Sequence, residues 1–114
     1  MNKAVPHDSA KLHVTGAARY VDDIPIPAKT LHLAFGLSSI AKGKIKSIDL
    51  SAVREAPGVV DIILSQDLPF KNDVAPNAHD EPLLADVNIN FVGQPIFIVA
   101  ANSHIEARYA STLA

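Results

Sequence analysis

Apolar residues in this chain fall in short runs, and the spacing within each run differs. Leu31, Leu33, Phe35 and Leu37 alternate with His32, Ala34 and Gly36, which predicts a strand over Leu31–Leu37. Lys44–Leu50 predicts a second, with Lys44 and Lys46 outward; Ile45 and Ile48 break strict alternation and imply a bulge. Val59–Leu64 predicts a third. Ile96–Ala101 is six apolar residues in succession, rich in β-branched side chains. A run that short and apolar on both faces predicts a central buried strand over Pro95–Ala101. Pro95 then stands at the first strand position, where a missing N–H is tolerated.

Two helices are expected between and after these strands. Ser51–Ala56 has Asp49 or Ser51 to cap its start, Pro57 to stop it and Gly58 for the turn beyond. Ser103–Leu113 opens with Ser103-His-Ile-Glu106, the spacing of a capping box. Ile105, Tyr109 and Leu113 recur at i, i+4, i+8 and predict the face that it lays over the last strand. Ser65–Pro69 reads as one helical turn, and 70–81 as a polar loop. Strand, helix and strand over 44–64 fit a right-handed crossover, or an antiparallel return because the helix is barely two turns long. The class is α+β, with a mixed sheet and two short helices. Residues 1–27, punctuated by Pro6, Gly16, Pro25 and Pro27, read as an extended arm; 28–114 form the domain proper.

Composition narrows the chemistry. The chain has 114 residues, 48% of them hydrophobic, few aromatic and none Trp, so its core is aliphatic. A net charge of -2 argues against a nucleic-acid or anionic-membrane partner. Lys42, Lys44 and Lys46 form the one basic cluster and read as a solvated strand face. There is no cysteine, which excludes disulfides, thiolate-held zinc and iron–sulfur clusters within the chain and fits a cytoplasmic setting. No run approaches the roughly 18 apolar residues of a membrane span. The chain stops at Leu113-Ala114, inside or just after a helical pattern and without a stop signal, which predicts a fragment of a longer polypeptide.

Candidate site residues are sparse. No phosphate-cradling glycine pattern and no nucleophile elbow occurs. His7, His13, His32, His79 and His104 stand in five different local settings. Asp22-Asp23 reads as a turn rather than a cation loop. His79-Asp80-Glu81 lacks the spaced partners that make consecutive residues converge on a metal. Gln94 is the one polar residue entering the buried strand, where a local backbone hydrogen bond is the expected role and contact with a ligand the alternative. The reading therefore places no catalytic, cofactor-binding or metal-ligating residue in this chain.

Seven separated segments, in order, resemble the xanthine dehydrogenase/aldehyde oxidase family of molybdenum hydroxylases. They are His7–Ala10 (HDSA), Val14–Pro25 (VTGAARYVDDIP), Leu31–Leu37 (LHLAFGL), Ile45–Leu50 (IKSIDL), Ala56–Val60 (APGVV), Asp80–Ala85 (DEPLLA) and Phe91–Ile96 (FVGQPI). Their order is similar to that of the N-terminal a/b hammerhead domain of the molybdopterin-binding part, above all in the bacterial xanthine dehydrogenase branch. The resemblance implies a hammerhead domain opening a much longer subunit that hydroxylates hypoxanthine and xanthine in the cytoplasm. It implies molybdopterin-bound molybdenum, two [2Fe–2S] clusters and FAD in the whole enzyme, with the catalytic glutamate and pterin loops downstream of this chain. The implied partners are the other molybdopterin-binding domains of the subunit and an iron–sulfur/FAD subunit. Ser38-Ser-Ile-Ala-Lys-Gly43 departs from the Ser/Arg–Pro–His-like loop of many members, which leaves the substrate open. The rival expectations are a stand-alone interaction module, or the same domain from an aldehyde, carbon monoxide or nicotinate dehydrogenase.

Overall fold

The unbroken apolar run near the C-terminus has a strand on each side of it. The structure, a computed structural model, describes residues 4–114. In chain order its elements are α1 (Ala10–Val14), β1 (His32–Leu37), β2 (Gly43–Lys44), α2 (Ser51–Glu55), β3 (Val59–Ile63), β4 (Asn88–Ile89), β5 (Pro95–Ala101) and α3 (His104–Ala110). Single 3-10 turns occupy Val21–Asp23 and Ser65–Asp67. The three-stranded sheet has the order β1-β5-β3, so β5 is central as its sequence requires. Phe97 through Ala101 are buried without a break.

Every strand pairing among the described residues is antiparallel. Leu33 faces Ala100 and Phe35 faces Ile98 across one side of β5; Ile62 faces Val99 across the other. β2 pairs with β4 in a separate ribbon. The expected mixed sheet is thus corrected to two antiparallel ones, and the right-handed crossover with it, because β2 and β3 lie in different sheets. A five-residue helix such as α2 rises only about 7.5 Å, too little to return the chain along a parallel neighbour. The strand expected over Lys44–Leu50 shrinks to Gly43–Lys44. Ile45 still donates its N–H to the Val87 carbonyl at 2.8 Å, but Lys46–Asp49 are exposed and unpaired with a strand. Leu50 then turns inward beneath α2.

Local chemistry sets the element ends. Asp49 Oδ1 accepts from the Ser51 N–H at 2.9 Å and from its hydroxyl at 2.7 Å, which opens α2. Ala56 is extended before Pro57, and Gly58 takes φ +76, where a Cβ would collide with the Glu106 carboxylate. The Leu64 N–H leaves the ladder for Asp67 Oδ2 at 2.9 Å, so β3 stops at Ile63 and a 3-10 turn begins. Asp23 closes the turn at Val21–Asp23 in the same way, accepting from the Tyr20 N–H at 2.9 Å.

One face of the large sheet carries the helices. Leu50, Val53, Ala56, Ile62, Phe97, Val99 and Ala110 form the core there, bordered by Val59, Leu64 and Leu113. Gly36 lies directly under the Phe97 ring; a Cβ built on it would stand 2.1 Å from the ring carbons. α3 lies against β1, β5 and β3. Its buried side chains are Ala107 and Ala110, whereas Ile105 is 80% and Tyr109 58% exposed. Of the predicted Ile105–Tyr109–Leu113 stripe only Leu113, past the helix end at Ala110, packs against the core, and Ile105 and Tyr109 do not. Two alanines let the helix backbone approach strand positions that carry Ala34 and Gly36, and the larger side chains point away. The Ser103 cap forms as expected: its hydroxyl accepts from the Glu106 N–H at 3.3 Å and donates to Glu106 Oε2 at 2.8 Å.

Residues 4–31 are exposed apart from the half-buried Ser9, Ala10 and Ala18. They hold α1, a helix of little more than one turn that the proline-punctuated sequence did not suggest. The radius of gyration is 19.8 Å, against about 13 Å for a packed domain of this length, because this segment reaches outward.

Candidate functional site

The most tightly built polar feature joins the two sheets. Gly93 takes φ +84 and turns the chain into β5. Its N–H donates to the Ser38 carbonyl at 2.8 Å, and the Ser38 N–H donates to the Gln94 carbonyl at 2.9 Å. Gln94 is 2% exposed, and its Oε1 accepts from the Asn90 N–H at 2.7 Å. This is the local backbone bond expected of it. The amide holds the 90–94 turn closed, and β4 and β5 take their relative setting from that turn.

A cleft of about 280 Å³ opens beside this junction. Its buried lining includes Ile89, Phe97 and Ser38, while Lys44 and Lys46 contribute exposed lining. The Ser38 hydroxyl is occupied with Ile40, donating to its carbonyl at 3.0 Å and accepting from its N–H at 3.2 Å. No Asp, Glu or His lines the cleft, so it offers no carboxylate or imidazole to move a proton.

The titratable residues singled out in the sequence lie apart from it. His7 Nδ1 accepts from the Ser9 N–H at 3.1 Å, and His13 Nδ1 lies 3.0 Å from the Tyr20 hydroxyl, both in the segment before β1. His32 on β1 meets His104 at the start of α3 edge-on, with ring centroids 6.4 Å apart. Asp22-Asp23 sits in the 3-10 turn already described. Among the described residues no three His, Asp or Glu side chains come together as a metal-ligand group.

His79 binds a residue that sequence reading passed over. Its Nδ1 lies 2.8 Å from Asp73 Oδ2, and Asp73 Oδ1 accepts from the Ala75 N–H at 3.0 Å. The Ala75 N–H is the first cause that holds the Asp73 carboxyl below its ordinary range; desolvation opposes, and His79 and Lys71 add to the lowering. Both carboxylate oxygens are thus used to close the 73–79 loop, whose His79 has φ +55. The six-residue separation carried no helical or strand period by which to find the pair. Asp49 is lowered in the same direction by the Ser51 N–H and then its hydroxyl.

Among the described residues the backbone groups of the Ser38–Gln94 junction, the Ser38 hydroxyl and Gln94 Oε1 are paired with one another and with neighbouring backbone. Residues 15–114 match the family described as aldehyde oxidase and xanthine dehydrogenase, a/b hammerhead domain. The chain belongs to this family. The hammerhead domain is 43% identical over 105 residues to xanthine dehydrogenase 1 of Arabidopsis thaliana, covering 92% of this chain and 8% of that protein. It is 40% identical over 111 residues to aldehyde oxidase 2 of Macaca fascicularis, covering 97% of this chain and again 8% of the relative. Its fold superposes on the crystal structure of the aldehyde oxidoreductase from Desulfovibrio desulfuricans with a TM-score of 0.82 at 32% identity, covering 94% of this chain and 13% of that one. The α+β hammerhead class is thereby established, and the domain spans about a twelfth of the length of the curated relatives it matches. Among the described residues no helix is long and apolar enough to cross a membrane.

Proposed function

We propose that this hammerhead domain is the structural N-terminal domain of the molybdopterin-binding part of a xanthine dehydrogenase, and that catalysis lies elsewhere in that enzyme. The supporting observation is the 43% identity to a xanthine dehydrogenase across 92% of the chain. The whole enzyme then performs the oxidative hydroxylation of hypoxanthine and xanthine to urate in the cytoplasm. The domain's partners are the remaining molybdopterin-binding domains and the iron–sulfur/FAD subunit. Residues 1–27 act as an arm extending from the domain proper at 28–114.

The residues present do not fit the cofactors. Iron–sulfur clusters of the [2Fe–2S] kind need thiolates, and the chain has no cysteine. A pterin phosphate needs free backbone N–H groups at glycine turns or helix starts. Here the start of α3 is taken by the Ser103 hydroxyl, with the Glu106 carboxylate beside it. Gly36 is covered by Phe97, and Gly58 by Glu106. No site residue is therefore assigned to catalysis, cofactor or metal.

The identity to an aldehyde oxidase is nearly as high, at 40%, so an aldehyde-oxidising enzyme is the second reading. The test is to purify the natural polypeptide that carries this chain, measure its mass and molybdenum, and assay xanthine beside a set of aldehydes. Molybdenum with xanthine turnover supports the proposal. Turnover of aldehydes alone favours the second reading. A free, molybdenum-less 114-residue product would mean a stand-alone module instead.

A further inference from the structure

We propose that the cavity beside the 90–94 turn is a binding site for a compact organic cation, an ammonium compound that also carries a neutral carbonyl. The buried amide of Gln94 is its floor. Gln94 is 2% exposed, and its Oε1 accepts from the Asn90 N–H at 2.7 Å, which fixes the way the amide faces. The Nε2 donors are left over and meet no acceptor among the described residues. No fully buried polar side-chain atom among those residues lacks a partner, so this nitrogen keeps its remaining surface on open space. The space that Gln94 lines is a cavity of about 240 Å³.

The rest of the cavity sets its charge. Asp80 and Glu81 line it, and no Lys, Arg or His does. The cations nearest in sequence are turned elsewhere: His79 Nδ1 lies 2.8 Å and Lys71 Nζ 3.6 Å from Asp73 Oδ2. Neither Asp80 nor Glu81 has an ion-pair partner among the described residues. Leu83, Phe91 and Pro95 supply apolar wall. These segments are tied to one another by hydrogen bonds. The Asn72 amide donates to the Leu84 carbonyl at 2.7 Å and accepts from its N–H at 3.0 Å. The Val74 N–H donates to the Glu81 carbonyl at 2.8 Å, and the Ala85 N–H to the Pro95 carbonyl at 2.7 Å. The cavity is therefore formed before anything enters it.

Each lining group excludes a class of ligand. Two uncompensated carboxylates repel phosphates and other anions. An amide N–H donates and cannot ligate a metal, so a bare cation leaves Gln94 unused. A neutral apolar molecule leaves both the amide and the carboxylates unused. An ammonium group on Asp80 and Glu81, an apolar body against Phe91, whose ring face attracts a cation, and a carbonyl on Gln94 Nε2 use all of them. The volume lies below the range of drug-sized sites and suits a compact molecule. The site is built from the domain's own residues and does not rest on which member of the family the chain serves.

Calorimetric titration of the natural polypeptide that carries this chain tests the site, with phenylalaninamide and phenethylamine as probes. Work at about pH 6 keeps both amines charged. Both carry a phenyl group, and only the first has a carbonyl. Phenylalaninamide is expected to bind about fivefold more tightly, the share of one hydrogen bond. Gln94→Glu keeps the acceptor for the Asn90 N–H, removes the donor and is expected to abolish that preference. Asp80→Asn with Glu81→Gln, both at exposed positions, is expected to weaken both probes about tenfold. N-acetylphenylalaninamide, which has the carbonyl without the charge, is expected to bind no better than in that double variant. Absence of binding by either amine, or equal affinity for the two in the parent, overturns the site. Binding that the Asp80 and Glu81 changes leave intact places the probe elsewhere on the polypeptide and overturns it too. These readouts decide the matter even where Gln94→Glu fails to fold.

Discussion

The two faces of the central sheet use the same residue types in opposite ways. On the helix side, large side chains of β5 meet small ones: Phe97 rests on Gly36, and α3 presents Ala107 and Ala110. On the other side, β1 presents Leu33, Phe35 and Leu37 to the outside. The first face is closed within these 114 residues and holds the fold together. The second buries Ile98 and Ala100 of β5 but leaves the large β1 side chains in contact with water. Hydrophobicity marks what becomes buried, whereas packing within the domain marks what stabilises it alone.

The sharpest way to break this comparison is to truncate one phenylalanine on each face. Phe97→Ala is expected to destabilise the domain by about 3–5 kcal/mol, the cost of a cavity under a buried ring. Phe35→Ala is expected to change it by less than about 1 kcal/mol, because its ring is already half in water. Urea melts of both variants check this, and equal losses would erase the distinction between the faces.

A second test adds volume instead. Gly36→Val on the covered side forces the Phe97 ring aside and is expected to cost about 1–3 kcal/mol. Leu37→Val, one residue along on the bare side, is expected to fall within about 0.5 kcal/mol of the parent in the same melts.

Helix α3 repeats the contrast in miniature. Ser103→Ala removes the acceptor for the Glu106 N–H and is expected to cost about 1 kcal/mol. Ile105→Ala, on the outward side, is expected to shift the urea midpoint by less than Ser103→Ala does. A larger shift for Ile105 would mean that its side chain packs after all.

The smallest effect is local and depends on pH. Asp73 is held below its ordinary range, so it favours the closed 73–79 loop above the usual aspartate value of about 3.9. That contribution is lost as pH falls through the lowered value. Exchange of the Ala75 amide, followed by NMR, is expected to speed up on acidification beyond its intrinsic pH dependence. Asp73→Asn is expected to remove that extra response.

Sequence by itself determined the strands over 32–37, 59–63 and 95–101, the centrality of the last, the Ser103 cap and the polar turns. Each depends on neighbours a few residues away: an apolar run, a serine three before a glutamate, a proline that cannot continue a helix. Gln94 was legible as a buried polar residue needing a local partner for the same reason. Family membership was legible too, because many short segments kept their order. Which side of β1 faces inward was not. Alternation separates two faces but assigns neither to the core, and only the ring of Phe97 over Gly36 settles it. The period of α3 likewise named a stripe that the close approach of Ala107 and Ala110 overrode. The antiparallel pairing, the short β2–β4 ribbon and the Asp73–His79 contact also belong to tertiary structure. Each depends on residues brought together by the chain's path, and no local spacing encodes that path.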